Sequence, residues 1–432
     1  MSVSTIEPAS TIESVSTRSP LRRTRAKIVA PDLRLSGTPA SAVLRTALLQ
    51  GPVSRDVIAR SSGISTATVN RQVSALVASG LLRERADLAA SGAIGRPRVP
   101  VEIDHEPYLT IGIHIGSVTT GIIATDLRGR ILGAVDIATP DGTGAGLRPS
   151  GGGSTGRAAL EIIAASAQAF AARWHRRRPL WVGVALGGRV DTAAGTADHP
   201  RLGWVGAPVG AVLGERLGLP VSVSPHVEAM AASELLLAPG RKPDTGSSLY
   251  FYARETTGVA ITIDGRVHTP SGGPGSIAHL PTGSSAQCSC GRTGCLEASV
   301  SDRSVVEAAR SAGVVDGGAA IAAVYAAARA GSLAAHRILI ERAEILGRTV
   351  AVLHDLFNPD RVLLGGQAFS EYQPGLPHVG DAFAACSVLP RTDLRVSGFG
   401  SRVQEYAAAT VSLSPIYSDP IGAMRKADSA LV

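Results

Sequence analysis

The chain has 432 residues, 44% of them hydrophobic and 18% charged, enough to bury more than one core and to argue against a single compact domain. No run of about eighteen apolar residues occurs and the Ser/Thr-rich start lacks an apolar stretch, so neither a membrane span nor a secretory signal is expected and a cytoplasmic protein is. The net charge of +7 is uneven: residues 1–100 carry 14 Lys and Arg against 6 Asp and Glu, the other 332 carry 28 against 29, and a basic segment on a neutral body is suited to meet a polyanion such as nucleic acid.

Residues 1–38, rich in Ser, Thr, Pro and Arg, are expected to form a flexible basic arm. Its run RRTRAK, 22–27, either touches phosphates or is simply solvated. From Ser41 the pattern turns helical: ASAVLRTALLQG stops at Gly51, SRDVIARSSG starts from Ser54 as N-cap, and STATVNRQVSALVASG runs from Ser65 as N-cap to a stop at Gly80. Ala59, Gly63, Ile64 and Val69 supply the small, tight-turn and apolar residues that two helices crossing through a short turn need. LLRER and GRPRVPVEI follow as two strands around a wing, so residues 39–103 are predicted to be a winged helix-turn-helix that binds double-stranded DNA. Ser65, Thr66, Thr68, Asn70 and Arg71 open its third helix and would face the major groove, Ser65 being as well suited to capping; Arg96 and Arg98 at the wing tip fit a minor groove or a phosphate.

Beyond Asp104 strand-like and helix-like segments alternate, the mark of an α/β body. TGIIATDLRGRIL from Thr120 and TGVAITIDGRVH from Thr257 echo one another, each after another apolar strand, which suggests two similar lobes facing a cleft. The segment AHLPTGSSAQCSCGRTGCLEAS, 278–299, holds three of the four cysteines and one histidine. Too few for a disulfide framework, Cys288, Cys290 and Cys295 with His279 form a closed Cys₃His set suited to structural zinc; a reactive thiol cluster or a buried trio without metal are the other readings.

The helix-turn-helix, the duplicated hairpins and Cys-x-Cys-Gly-x-x-Gly-Cys-Leu-Glu ending at Glu297 together resemble the ROK family of repressors and sugar kinases, as do LLGGQ at Gly365 and Gly366 and VALGGRVD from Val184. The resemblance runs from about residue 41 to the C-terminus. It implies an actin-like, ribonuclease-H-like pair of lobes: lobe 1 over 104–225, completed by a C-terminal helix 416–432, and lobe 2 over 226–415 with the zinc motif. It also implies His279 as the fourth metal ligand, and a sugar-like effector site built on Gly187, Gly188, His226, His279 and Glu297.

The resemblance breaks where a kinase needs it most. The family's Asp-x-Gly-x-Thr phosphate loop meets His114, Gly116 and Val118; its glycine-rich second loop meets Arg254, Glu255, Thr256, Thr257 and Gly258; its Asn-Asp-x-Asn, which carries the base, meets Pro225, His226, Val227 and Glu228; a sugar-contacting Glu is Ser276. Side chains stand where phosphate needs backbone space. The expectation is therefore a DNA-binding regulator, a repressor by the family's commoner role, with kinase activity lost, assembled as a homodimer or homotetramer. The alternative is an active sugar kinase with an accessory DNA-binding domain.

Overall fold

The computed structural model describes residues 27–33, 37–89, 99–140, 155–238, 246–270, 275–390 and 392–430. The head is built from α1 (Pro39–Gln50), α2 (Arg55–Ser62) and α3 (Thr66–Ala78), closed by the antiparallel pair β1 (Leu82–Glu84) and β2 (Val101–Ile103). Thr38 caps the first helix, its side chain accepting the Ser41 N–H, and Pro39 sits at its first position, where its missing N–H costs nothing. Gly63 takes φ +68° between α2 and α3, a conformation that a side chain resists, which allows the sharp crossing.

Lobe 1 follows: β3 (Tyr108–Ile115), β4 (Thr119–Thr125), β5 (Ile131–Ala138), α4 (Arg157–Ala171), β6 (Arg178–Leu186), the small sheet β7 (Arg189–Asp191), β8 (Thr196–His199) and β9 (Trp204–Ala207), then α5 (Val209–Leu217) and β10 (Val221–Pro225). Helix α6 (His226–Leu236) leads to lobe 2: β11 (Ser247–Ala253), β12 (Thr257–Ile263), β13 (Arg266–Val267), α7 (Leu296–Val300), α8 (Asp302–Ser311), α9 (Ile321–Arg329), α10 (Leu333–Phe357), β14 (Arg361–Gly365), α11 (Gln367–Ser370), α12 (Leu376–Cys386) and β15 (Asp393–Val396). Both main sheets have five strands and one plan. Strands run β5-β4-β3-β6-β10 in lobe 1 and β13-β12-β11-β14-β15 in lobe 2, with an antiparallel meander first and two parallel strands after it. The echoed sequences at Thr120 and Thr257 are the second strands of the two meanders, β4 and β12.

The chain then returns to lobe 1 through α13 (Val403–Ser418) and α14 (Pro420–Asp428). The return thus begins at Val403, thirteen residues before the boundary the sequence suggests. Helix α13 lies directly on the lobe 1 sheet because Gly112 and Gly183 leave it room: a Cβ on Gly183 would fall 2.1 Å from Ser412 N, and one on Gly112 2.8 Å from Ala408 C. Thr110 and Ser412 exchange a buried hydroxyl hydrogen bond there at 2.8 Å. Helices α6 and α13 together form the seam between the lobes, where Met230 and Ala408 pack with Tyr250 and Tyr252.

Head and lobe 1 share one core. Leu44, Leu76 and Ile103 of the head pack with Trp181, Leu413, Tyr417 and Met424 of the body. Each fully buried Leu contributes roughly 1.5–3 kcal/mol, so this seam binds the two units tightly. A polar node reinforces it: the buried Glu102 accepts from Arg83 and Arg85 of the head and from Arg128 of the β4–β5 turn, at 2.8–2.9 Å. Burial alone would raise its pKa, but Arg85 and Arg83 outweigh that and hold it below the usual carboxylate value.

The arm differs from its expectation at residues 27–33. Lys27 and Val29 bond to both sides of Val221, adding a parallel bridge to the free edge of β10, and Ser222 donates to Val29 O at 2.8 Å. Ile28 explains it: this apolar side chain fills a slot left open by Gly195 and Gly210.

Candidate functional site

The residues expected to face DNA lie at the start of α3. Ser65 Oγ accepts the Thr68 N–H at 3.3 Å and its hydroxyl lies 3.0 Å from Thr68 Oγ1, so both residues serve the helix start. Thr66, Asn70 and Arg71 are exposed, and their side chains have no internal hydrogen-bond or ion-pair partner among the described residues. Ser74, one turn beyond Asn70, is exposed as well; the helical period from Asn70 would have found it. Arg96 and Arg98 lie outside the described residues.

Between the lobes lies a cavity of about 1280 Å³ bordered by Gly187, Gly188, His226, His279 and Glu297. Gly188 holds φ +86°, and a Cβ there would fall 2.1 Å from Asp198 O, so the GG turn is a backbone requirement before it is anything else. His226 opens α6 and stacks on His114, ring centroids 5.7 Å apart with Nδ1 3.4 Å from Nε2, while Tyr252 meets it edge-on at 5.4 Å. Burial, with His199 adding repulsion, pulls the His226 imidazole down to about 4, and burial with His226 beside it drives His114 well below its ordinary value. An imidazole that weak is a poor proton acceptor near neutrality.

The segments that meet the family's two phosphate loops carry His114 and Val118 in the first and Arg254 and Glu255 in the second. His114 is buried where the family's first acid stands, and Val118 is exposed at the loop tip. In the second, Arg254 N–H donates to Thr256 O at 3.0 Å, closing the turn that carries Glu255, and Arg254 itself donates to Gln404 at 2.6 Å. Glu255 and Glu297 are both gripped by Arg201, from the turn after β8, at 2.7 Å each. Glu297 also accepts the Thr257 N–H at 3.2 Å. Sequence reading missed Arg201 and Glu255 as partners, since nothing in a separation of about fifty residues signals a contact across a cleft.

His279, Cys288, Cys290 and Cys295 bring one donor atom each to within 4.8 Å of one another, a group that can hold a metal ion. Cys288 Sγ lies 3.6 Å from His279 Nδ1 and Cys290 Sγ 3.7 Å from Cys295 Sγ. A tight turn inside a small hairpin makes this possible: Gly291 N–H donates to Cys288 O at the turn and Gly294 N–H to Ala286 O closes the hairpin, with Gly291 and Gly294 both at positive φ. His279 is thereby a member of this cluster and a border of the cavity together.

The family model for ROK proteins matches residues 110–383. The chain belongs to the ROK family. A transcriptional regulator of Mycobacterium tuberculosis is 53% identical over 415 residues, 94% of this chain and 91% of its own. Among solved structures, a ROK family transcriptional regulator homologous to the Escherichia coli Mlc protein superposes with TM-score 0.71 at 23% identity, covering 90% of this chain and 97% of its own. A ROK glucokinase from Streptomyces griseus in complex with glucose and AMPPNP gives 0.61 at 24%, covering 70% of this chain and 99% of its own. The whole glucokinase thus finds a counterpart in part of this ROK chain, and the regulator extends the match. The body accordingly has the actin-like architecture of ROK sugar kinases.

Proposed function

We propose that this ROK protein is a cytoplasmic DNA-binding transcriptional regulator, a repressor, whose body no longer phosphorylates sugars. The observation that carries the reading is the contrast on one chain between the exposed Thr66, Asn70 and Arg71 of α3, whose side chains have no internal partner among the described residues, and a cleft where His114, Arg254 and Glu255 stand at the positions of the family's phosphate loops. The relative named as a transcriptional regulator supports it over nearly the full length. Asn70 and Arg71 carry base contacts, since both side chains can pair two atoms of one base edge, while Thr66 and Ser74 border them. The body brings two heads together as a homodimer or higher homo-oligomer, matching a palindromic or repeated site.

The metal is structural zinc. Tetrahedral Zn–S bonds of about 2.3 Å put two sulfurs about 3.8 Å apart, close to the 3.7 Å between Cys290 and Cys295. His279, Cys288, Cys290 and Cys295 fill four positions, leaving none for substrate, so the ion would brace the 279–295 loop without taking part in chemistry. A sugar-like effector binds in the cleft beside Gly187, Gly188 and His226. Because the head shares its core with lobe 1, an effector that moves the lobes moves lobe 2 against a rigid head-and-lobe-1 unit.

Two measurements test the reading. A coupled ATP assay with glucose, N-acetylglucosamine, mannose and xylose is expected to stay at background; turnover above it contradicts the loss of kinase activity. DNA binding is expected to be sequence-selective and to weaken steeply with salt, whereas equal binding of all sequences contradicts a specific regulator.

A further inference from the structure

The ion pairs of Arg201 join the two lobes. Arg201 stands in the turn between β8 and β9 of lobe 1, whereas Glu255 lies in the β11–β12 turn and Glu297 at the start of α7, both in lobe 2. Its Nη1 donates to Glu255 Oε1 at 2.7 Å, and its Nη2 to Glu297 Oε1 at 2.7 Å and to the Glu255 carbonyl at 3.2 Å. The remaining carboxylate oxygens are also taken: Glu255 Oε2 accepts the Arg303 N–H at 3.1 Å and Glu297 Oε2 the Thr257 N–H at 3.2 Å. All four oxygens are therefore satisfied within the protein, and Arg201 and Glu297 stand in a wall of the cavity.

We infer that Arg201 is an interlobe latch: its guanidinium ties lobe 1 to lobe 2 by taking Glu255 and Glu297, and a ligand that needs Glu297 must first displace it. A planar fork with five donors suits this two-carboxylate grip as an ammonium does not. The side chains are 24%, 29% and 23% exposed, so the pairs are only partly shielded and salt reaches them. The latch goes beyond the regulator reading and stands whether or not an effector binds.

Hydrogen–deuterium exchange on the full-length protein tests it, since the Thr257 and Arg303 amides donate to the latched carboxylates. Arg201→Ala is expected to speed exchange at least tenfold across 255–258, at Arg303 and at the start of α6, and to leave α3 and the 279–295 loop unchanged. Raising salt from 50 to 500 mM on the unmodified protein is expected to produce the same regional pattern more weakly, a measurement that stands even where Arg201→Ala does not fold. Adding 50 mM glucose as probe is expected to protect the cleft less in the unmodified protein than in Arg201→Ala. Exchange in folded Arg201→Ala that matches the unmodified protein, or that rises evenly over the whole chain, overturns the latch; so does salt that leaves 255–258 untouched. Equal glucose protection in both proteins overturns the gating. Failure of DNA selectivity would sink the regulator reading and leave these results standing.

Discussion

The start of α3 and the wall of the interlobe cleft are both rich in polar side chains, but they treat them in opposite ways. Thr66, Asn70 and Arg71 point at solvent with no internal partner among the described residues, while Glu297, Glu255, Arg254 and His226 are each paired inside the protein. Holding Asn and Arg unpartnered on a rigid helix leaves their hydrogen bonds available for another molecule. Pairing a carboxylate with Arg201 and a backbone N–H uses them up. The difference is the one expected of a surface that recognises a partner and a cleft whose polar groups are satisfied within the fold.

The largest expected effect comes from the proposed zinc site. Stripping zinc with a chelator, or Cys290→Ser, is expected to cost more than roughly 4 kcal/mol locally. Protection should be lost across 279–295 and the adjoining cavity wall, while the head persists, because its core shares no residue with that loop. Amide exchange and bound-metal analysis read both halves. Next in size, Asn70→Ala and Arg71→Ala should each lose about 1–3 kcal/mol of discrimination between a selected DNA site and random DNA, at unchanged Tm. His226→Ala should leave DNA affinity within about twofold, as it belongs to the cleft.

Glu102→Gln probes the joint between head and body and should cost about 2 kcal/mol, less than for a fully buried pair because the three arginines are about one-third exposed. Its folded pKa is depressed, so its contribution is complete above the unfolded value of about 4.5 and disappears as pH falls through the folded one. The substitution should flatten that acid limb in urea titrations run from pH 3 to 6. The smallest expected effect is at Glu228, where burial pushes the carboxyl up to about 7 and one oxygen has no partner. A raised pKa means stability present below about 4.5 and lost as pH rises through 7, so Glu228→Gln should gain about 1 kcal/mol at pH 8 and nothing at pH 4. Denaturant midpoints at the two pH values check the sign.

Much of this was legible in the sequence because the signals were local. Ser65, Gly63 and Gly80 mark the ends of α2 and α3 through backbone rules, and Cys-x-Cys with two glycines encodes a chain wrapped on itself. The repeated meander was readable for the same reason, each copy being two strands and a turn. What escaped was long-range. Val403 rejoins lobe 1 only because Gly112 and Gly183, some 290 and 220 residues earlier, leave space for α13, and no pattern within 403–418 announces that. Ile28 docks through Gly195 and Gly210 in the same way. The motif around Glu297 marks it as a candidate effector contact, whereas its ion pair with Arg201, across the cleft and far away in the chain, has no local signal.

The most direct test of the account is genome-wide DNA occupancy of the tagged protein beside its Asn70→Ala, Arg71→Ala double variant. Discrete sites sharing one repeated or palindromic motif, lost in the variant while its abundance and Tm hold, are the predicted result. Occupancy without a shared motif, or a pattern the variant retains, would contradict the claim that α3 reads DNA for this protein.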